Sequence, residues 1–511
     1  MSDSYSKNLS AKALIWSILF TGICLRLNQY LSNKSLWIDE LWITFNIINK
    51  SFIDLLTKPL DYHQCAPVGF LMTEKVLVSF LGNNEYILRL FPLLCSIASL
   101  FVFYKLIENI LNYNAMVFAI LLFAASKHFI YHASEAKQYS SDLLIALILF
   151  LLTFKLINKP DKNPFHLIRL GIFGFIFIWF SHSSIFVLIS VSIILLSLAL
   201  LKKNNNIPLK ETILLIISWI VSFFLNYVFN LSKVNIKALG FKSHFMPWPP
   251  DFSWLSKKAL MLISSVGFEA NLISVFFLLF GSVLIFKKSR TWFFILLLPL
   301  IFTLAASAIH KYPIHDRLML FYFPVLIIFF SNALEHLRKK IWSISSILGI
   351  AFICMILFPY LSGTYKIFIN PYKTQEMKPI LNYLKSHEKS NDVLYICEDA
   401  EYAFKYYGKR YGFTDEFDLD KDQHKKGEPT FIKDPLSNSI VIISRKYSEN
   451  IFTPLIGKKR LWILFSNVGI NETFILNTLD KIGAQVASFI RRGANGGCSL
   501  FLYDLSLNNH G

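Results

Sequence analysis

Eleven stretches of this chain stay apolar for about the thickness of a lipid bilayer. They lie near residues 12–28, 88–107, 114–128, 140–157, 167–181, 183–201, 211–229, 271–287, 291–309, 318–335 and 341–360. A helix needs about 20 apolar residues to cross the hydrocarbon, with tolerance to about 17. The third and fifth stretches are the shortest. The charged fraction is 16%, with 54% hydrophobic residues and 49 Phe. Soluble domains carry about 25% charge. The reading is a polytopic α-helical membrane protein of about eleven spans. Residues 1–11 are polar and the first apolar run is long enough to stay as a span, so no signal peptide is expected.

The net charge of +18 does not point to nucleic acid, because Lys and Arg concentrate in short loops between spans. With the N-terminus in the cytoplasm, four such loops fall inside, as the positive-inside rule requires. They are Lys155–His166 with Lys159 and Lys162, Lys202-Lys203 to Lys210, Lys287-Lys288-Ser289-Arg290, and His336 to Lys340. Residues 29–87, 129–139, His182, 230–270, 310–317 and everything after 361 then face outward. Residues 50–58, 67–82 and 259–267 read as amphipathic surface helices, the first two interrupted by Asp54, Lys58, Glu74 and Lys75.

Beyond Pro359 the composition changes. Helical stretches at 374–389 and 471–482 alternate with β-like runs at Val393–Cys397, Ser439–Ser444, Leu461–Phe465, Val486–Ile490 and Ser499–Tyr503. That alternation suggests a small α/β domain. The expected division is a membrane domain at 1–362 and an extracytoplasmic α/β domain at 363–511. Cys397 and Cys498, both in this tail, are candidates for a disulfide if it lies outside the cell. Gly493-Ala494-Asn495-Gly496-Gly497 reads as a turn, since no helix follows it to cradle a phosphate.

The outer loops collect the chemistry. The first holds Asp39, Glu40, Asp61, His63 and Gln64. The second holds His128, His132, Glu135, Lys137 and Tyr139. The fifth holds His310, Lys311, Tyr312, His315, Asp316 and Arg317. Ionisable groups kept beside lipid are costly and usually functional. Carboxylates with cations from another loop suit a site that holds an anion and deprotonates a nucleophile. Arg offers phosphate a planar fork. The same carboxylates are candidates for Mg²⁺ or Mn²⁺. Plainer roles stand beside these. Asp39 and Glu40 suit a helix N-terminus, Glu135 suits a pair with Lys137, Arg89 suits a span anchor or a partner for Glu85, and His63 suits an exposed loop.

Several motifs resemble the C-type superfamily of integral membrane glycosyltransferases, in the branch of protein O-mannosyltransferases and lipid A aminoarabinose transferases. They are Arg26 with Asp39-Glu40, Gln64-Cys65-Ala66-Pro67 with Phe70, Gly82-x-x-Glu85-x-x-Leu88-Arg89-x-x-Pro92, Tyr131-x-x-Ser134-Glu135-Ala136-Lys137-x-Tyr139, and Tyr312-Pro313-x-x-x-Arg317 with Pro324. The resemblance implies transfer of a sugar from a polyprenyl-phosphate-linked donor to a protein or glycan acceptor, usually with inversion, in the inner membrane of a bacterium. It implies that Asp39 is the catalytic acidic residue, acting as the base or orienting the acceptor, with Glu40 beside it, and that Glu135 is the second acidic position. Asp39 and Glu135 become the candidate metal ligands. Arg317 and Lys311 become the donor-phosphate group, with His63, Lys137, Tyr139, Arg89 and Tyr312 as further binding residues. Lys137 stands where Arg is commoner, which keeps the charge and loses the fork. The competing reading is a secondary transporter or lipid flippase. Transporters carry charge at the midplane and often show internal repeats, and neither is seen here.

Overall fold

The computed structural model describes residues 2–158, 165–202, 207–235, 240–413, 430–433, 440–444, 452, 455–457, 460–466, 470–493 and 496–506. Lys159, Lys162, Lys203, Ser439, Ala494 and Asn495 lie outside the described residues. The chain divides into two compact units. The first comprises Met1–Ser32 and Asn46–Pro371; the second comprises Asn33–Phe45 and Tyr372–Gly511.

The first unit is helical. Among the described residues, seven helices are long and apolar enough to cross a membrane: Lys12–Leu31, Leu90–Ile110, Tyr139–Asn158, Leu209–Lys233, Arg290–Ala308, Arg317–Trp342 and Ser346–Ile369. Tyr113–Ala125, Phe165–Phe180 and Ser184–Leu200 are apolar and shorter, and Leu272–Lys288 has 17 residues. Each expected apolar stretch is therefore a helix, and four fall short of full spanning length. Close approach is built in at Gly281, where a Cβ would stand 1.8 Å from the Phe329 carbonyl oxygen. Small residues let membrane helices touch in this way.

The shortness of Tyr113–Ala125 has a visible cause. The last carbonyls of a helix lack partners within it, and here side chains from other helices take them. Tyr360 donates to Leu122 O at 2.6 Å. Arg26 donates to Phe123 O and Ala124 O, and Thr364 donates to Ala125 O at 2.6 Å. Arg26 is fully buried and also bonds Ser96 Oγ and Gly22 O. The helix thus stops inside the bundle, and the chain turns at once into Lys127–His132, which carries the second outer loop. Arg26 is a pin between helices.

The helix Val68–Leu81 corrects one reading. Glu74 does not face outward from a surface helix; it is fully buried, and among the described residues neither carboxylate oxygen has a hydrogen-bond partner. Burial pushes this acid well above the usual carboxylate range. Lys75 reaches Ile48 O at 3.1 Å instead of solvent alone.

The second unit carries a six-stranded sheet. Its strands are β1 (Val393–Cys397), β2 (Thr430–Lys433), β3 (Ile440–Ser444), β4 (Leu461–Ser466), β5 (Ala484–Gly493) and β6 (Gly496–Asp504), in the order β2-β3-β1-β4-β6-β5. The central strands β3, β1 and β4 run parallel. β1 and β4 are buried along their whole length, as central parallel strands are. β2, β5 and β6 pair antiparallel with their neighbours. Met377–His387 and Ile470–Leu479 are the expected helices. Both tail cysteines are free thiols. Strand β4 lies between their strands, two spacings of about 4.8 Å, beyond the reach of a disulfide.

Candidate functional site

In the first unit the loop at 129–139 folds over buried charge. Glu135 and Lys137 lie between Lys127–His132 and Tyr139–Asn158, and both are buried. Glu135 meets His132 Nδ1. Ser140 donates to His132 O at 2.8 Å and fixes that histidine's backbone. Lys137 donates to Gln64 Oε1 at 2.7 Å, which ties the second outer loop to the first. Glu135 is thus not held by Lys137 alone, as an exposed pair would be.

Beside Gln64, Asn230 donates to Ala66 O at 3.2 Å and lies 3.4 Å from His182 Nε2. That leaves Nδ1 of His182 to carry the proton towards Cys65 Sγ at 3.8 Å. Burial pushes the His182 imidazole down to about 4 and the Cys65 thiol up to about 12. Both are neutral at physiological pH, so Cys65 is a packing thiol and no nucleophile.

The fifth loop brings basic side chains to one aromatic ring. Arg317 lies 5.7 Å from the centroid of Phe241 and 5.9 Å from that of Tyr139. His315 and His244 flank the same Phe241 ring at 5.5 and 5.9 Å and lie 4.5 Å apart. Lys258 Nζ stands 2.7 Å from His244 Nδ1. Ile314 N–H donates to His244 O at 2.8 Å and joins the two loops. Burial, then His315 and Lys258, push His244 down to about 4. Asp316 is the one carboxylate described in this group. Burial opposes its charge, yet the bonds from His315 and from Arg317 N–H at 2.7 Å hold it below the usual range. Positive groups crowded in this way suit an anion.

The other candidates spread out. Tyr139 is buried against His132 and Arg317. Tyr312 donates to Leu318 O at 2.9 Å and packs edge-on against Phe186, so its hydroxyl staples the loop. Lys311 is exposed. His63 is exposed at the left-handed φ of 51°, and Arg89 is buried where Glu85–Leu88 meets Leu90–Ile110. Asp61 pairs with Lys50 at 3.1 Å. Sequence reading did not single out Lys258 and did not place His244 with Arg317. The available signal was the density of aromatic and basic residues in 241–258.

Asp39 and Glu40 belong to the second unit. They open the helix Ile38–Asn49, where the helix dipole favours negative charge. Glu40 is fully buried and turns back to accept from Trp37 N–H at 3.3 Å, the reciprocal half of a capping box. Asp39 is left 8% exposed.

Among the described residues, no group of three or more His, Cys, Asp or Glu side chains is placed to hold a metal ion. The His132–Glu135 pair supplies two ligands at most.

No protein-family model matches the chain, and no curated protein sequence matches it either. Solved structures do. ArnT from Cupriavidus metallidurans matches at a TM-score of 0.51, both bound to undecaprenyl phosphate (11% identity; 97% of this chain and 98% of that one) and in the apo state (12% identity; 96% and 98%). The archaeal oligosaccharyltransferase AglB from Archaeoglobus fulgidus, in complex with an inhibitory peptide and a dolichol-phosphate, matches at 0.49 with 12% identity over 78% of this chain. The chain spans about three fifths of the archaeal enzyme's length. At these identities the likeness is one of fold: the chain is an integral membrane protein folded like ArnT, the C-type fold that its motifs resemble.

Proposed function

We propose that this protein is a membrane glycosyltransferase that takes a sugar from a polyprenyl-phosphate-linked donor and passes it to an acceptor on the extracytoplasmic face. The observation that carries the reading is the cluster of Arg317, His315, His244 and Lys258 around Phe241, in a chain with the fold of a protein solved with undecaprenyl phosphate. Arg317 and Lys258 are half-buried, and charges partly withdrawn from water attract an anion more strongly than fully solvated ones. The phosphate end of a lipid-linked sugar is such an anion.

The reaction follows from the chemistry of such a donor. Asp39 accepts the proton of the acceptor's hydroxyl or amine. The acceptor atom forms a bond to the anomeric carbon from the face opposite the phosphate, and the carbon–oxygen bond to phosphate breaks. The electron pair leaves with the polyprenyl phosphate, and the configuration inverts. Arg317 and its neighbours stabilise the charge that develops on the departing phosphate, where an electrostatic contribution lowers the barrier most. Glu135, held by His132, keeps the second loop in shape and is proposed to contact the sugar or acceptor. Lys137, Tyr139, His63, Tyr312, Arg89 and Lys311 remain proposed donor contacts, with Tyr139 the best supported because Arg317 lies over its ring. The N-terminus is proposed to be cytoplasmic and the membrane a bacterial inner membrane.

The test is transfer of radiolabel from polyprenyl-phosphate sugars by purified protein, with an envelope extract as acceptor. Label should move with wild type and not with Asp39→Asn. Equal transfer by both would remove Asp39 as the base. Flux of intact donor across liposomes without transfer would replace the reading with a flippase.

A further inference from the structure

The acidic turn at Asp39 is preceded by four consecutive amides that each meet a side-chain acceptor. Ser35 N–H donates to Glu376 Oε1 at 2.9 Å. Leu36 N–H donates to the Tyr407 hydroxyl at 2.8 Å, and Trp37 N–H to Glu40 Oε2. Ile38 N–H donates to Gln375 Oε1 at 2.9 Å. The other edge of the segment is held as well. Lys378 N–H donates to Ser35 Oγ at 3.1 Å, and the Lys378 ammonium donates to Asn33 O. Three of the four acceptors come from the C-terminal part of the chain, and Gln375, Glu376 and Tyr407 are all buried.

The acceptors are themselves fixed. Tyr407 ends the helix Glu398–Tyr407, whose Tyr402 and Tyr406 pack edge-on against Trp42 and Phe45 of the helix that carries Asp39. Gln375 and Glu376 sit in a buried loop whose neighbour Thr374 presses on the end of β5. At Gly493 a Cβ would stand 1.8 Å from Thr374 O, so only glycine lets the loop sit there. A loop whose every amide has a buried partner is costly to distort, because each amide left unpaired costs about 1–3 kcal/mol.

We infer that Gln375, Glu376 and Tyr407 are positioning residues for the transfer reaction, holding residues 35–38 so that Asp39 is presented in one geometry. This gives the C-terminal domain a part in catalysis beyond any binding of acceptor. It rests on the reading of Asp39 as the base. Small displacements of a catalytic group cost large factors in rate, whereas donor affinity is set elsewhere and should stay.

The experiment has two arms on the full-length protein in detergent. Hydrogen exchange of the peptide covering 33–41 should be slow in wild type and at least about tenfold faster in Gln375→Ala and Tyr407→Phe, with the rest of the protein unchanged. Steady-state transfer should show kcat lowered about tenfold or more in both variants, with donor KM within about twofold. Gln375→Glu, which keeps the acceptor oxygen, should recover most of both. Fast exchange of 33–41 in wild type would overturn the clamp without any reference to catalysis. Normal kcat in Gln375→Ala and Tyr407→Phe, beside a dead Asp39→Asn, would overturn the positioning role and leave the base standing. Full activity of Asp39→Asn would sink the base reading, whatever the exchange data show. Loss of activity that tracks loss of folded protein, without rescue by Gln375→Glu, would reduce the clamp to a structural contact and overturn the proposal.

Discussion

The first unit crowds its charges where the second distributes its hydrogen bonds one to an amide. Around Phe241 stand His244, His315 and Arg317, with Lys258 on His244 and Asp316 on His315, and burial with these neighbours lowers the His244 pKa. Around residues 35–38 each donor has its acceptor. A group with more basic side chains than its one described carboxylate, Asp316, can answer favours an anionic ligand. A fully paired segment gains nothing from a ligand, so it favours fixed geometry. The contrast separates a region suited to binding an anion from one suited to holding Asp39 in a fixed place.

The largest expected effect strikes the placed group itself. Asp39→Asn should lower kcat at least about 100-fold, within the range a general base contributes, with the thermal midpoint unchanged. A fall in donor affinity of similar size would erase the contrast. Next comes the crowded side. Arg317→Ala should weaken donor binding about ten- to a hundredfold, since hydrogen bonds to charged groups contribute about 1.5–3 kcal/mol. Arg317→Lys should recover only part, because the planar fork is lost. Titration with polyprenyl phosphate reads both.

A smaller effect sharpens the electrostatic half. A bound anion raises the pKa of His244 from its low unliganded value of about 4. Donor affinity should therefore strengthen as pH falls from 7 towards that value, by up to about tenfold per unit inside the window. It should weaken again as pH rises through the raised, liganded value. His244→Gln should flatten the profile measured by binding between pH 4 and 8. The smallest change belongs to neither region. Burial raises the Glu74 pKa, so below the pKa of a free carboxylate Glu74→Gln should alter stability by less than about 1 kcal/mol. A group whose folded pKa is raised lends stability below its unfolded pKa, and that stability is lost as pH rises through the folded one. Thermal melts of wild type should therefore drop with rising pH more than those of Glu74→Gln.

Much of the architecture was legible because apolar length is a local property. Each of the eleven stretches is a helix, and five of the six strands lie where β-like runs were read. The helix Tyr113–Ala125 shows the limit. Its early stop depends on Arg26, Tyr360 and Thr364, whose hydrogen bonds span 97 to 239 residues, and no local pattern announces that. The site behaves alike. Asp39, Glu135 and Arg317 stood out as charge beside lipid, whereas Lys258 looked like one more loop lysine. The grouping of Asn33–Phe45 with the tail was invisible, since hydrogen bonds to single amides leave no periodicity. The expected disulfide failed for the same reason: sheet order, not sequence spacing, separates Cys397 from Cys498.

The discontinuity of the second unit sets a timetable. Ile38 precedes its partner Gln375 by 337 residues. At about 5–20 residues per second of synthesis, the acidic turn waits roughly twenty seconds to a minute for the side chains that hold it. A ribosome that stalls within that interval leaves a chain with most of its helices and no ordered turn at Asp39. The hydrogen bonds that fix the acidic turn thus form only after residues far later in the chain have been made.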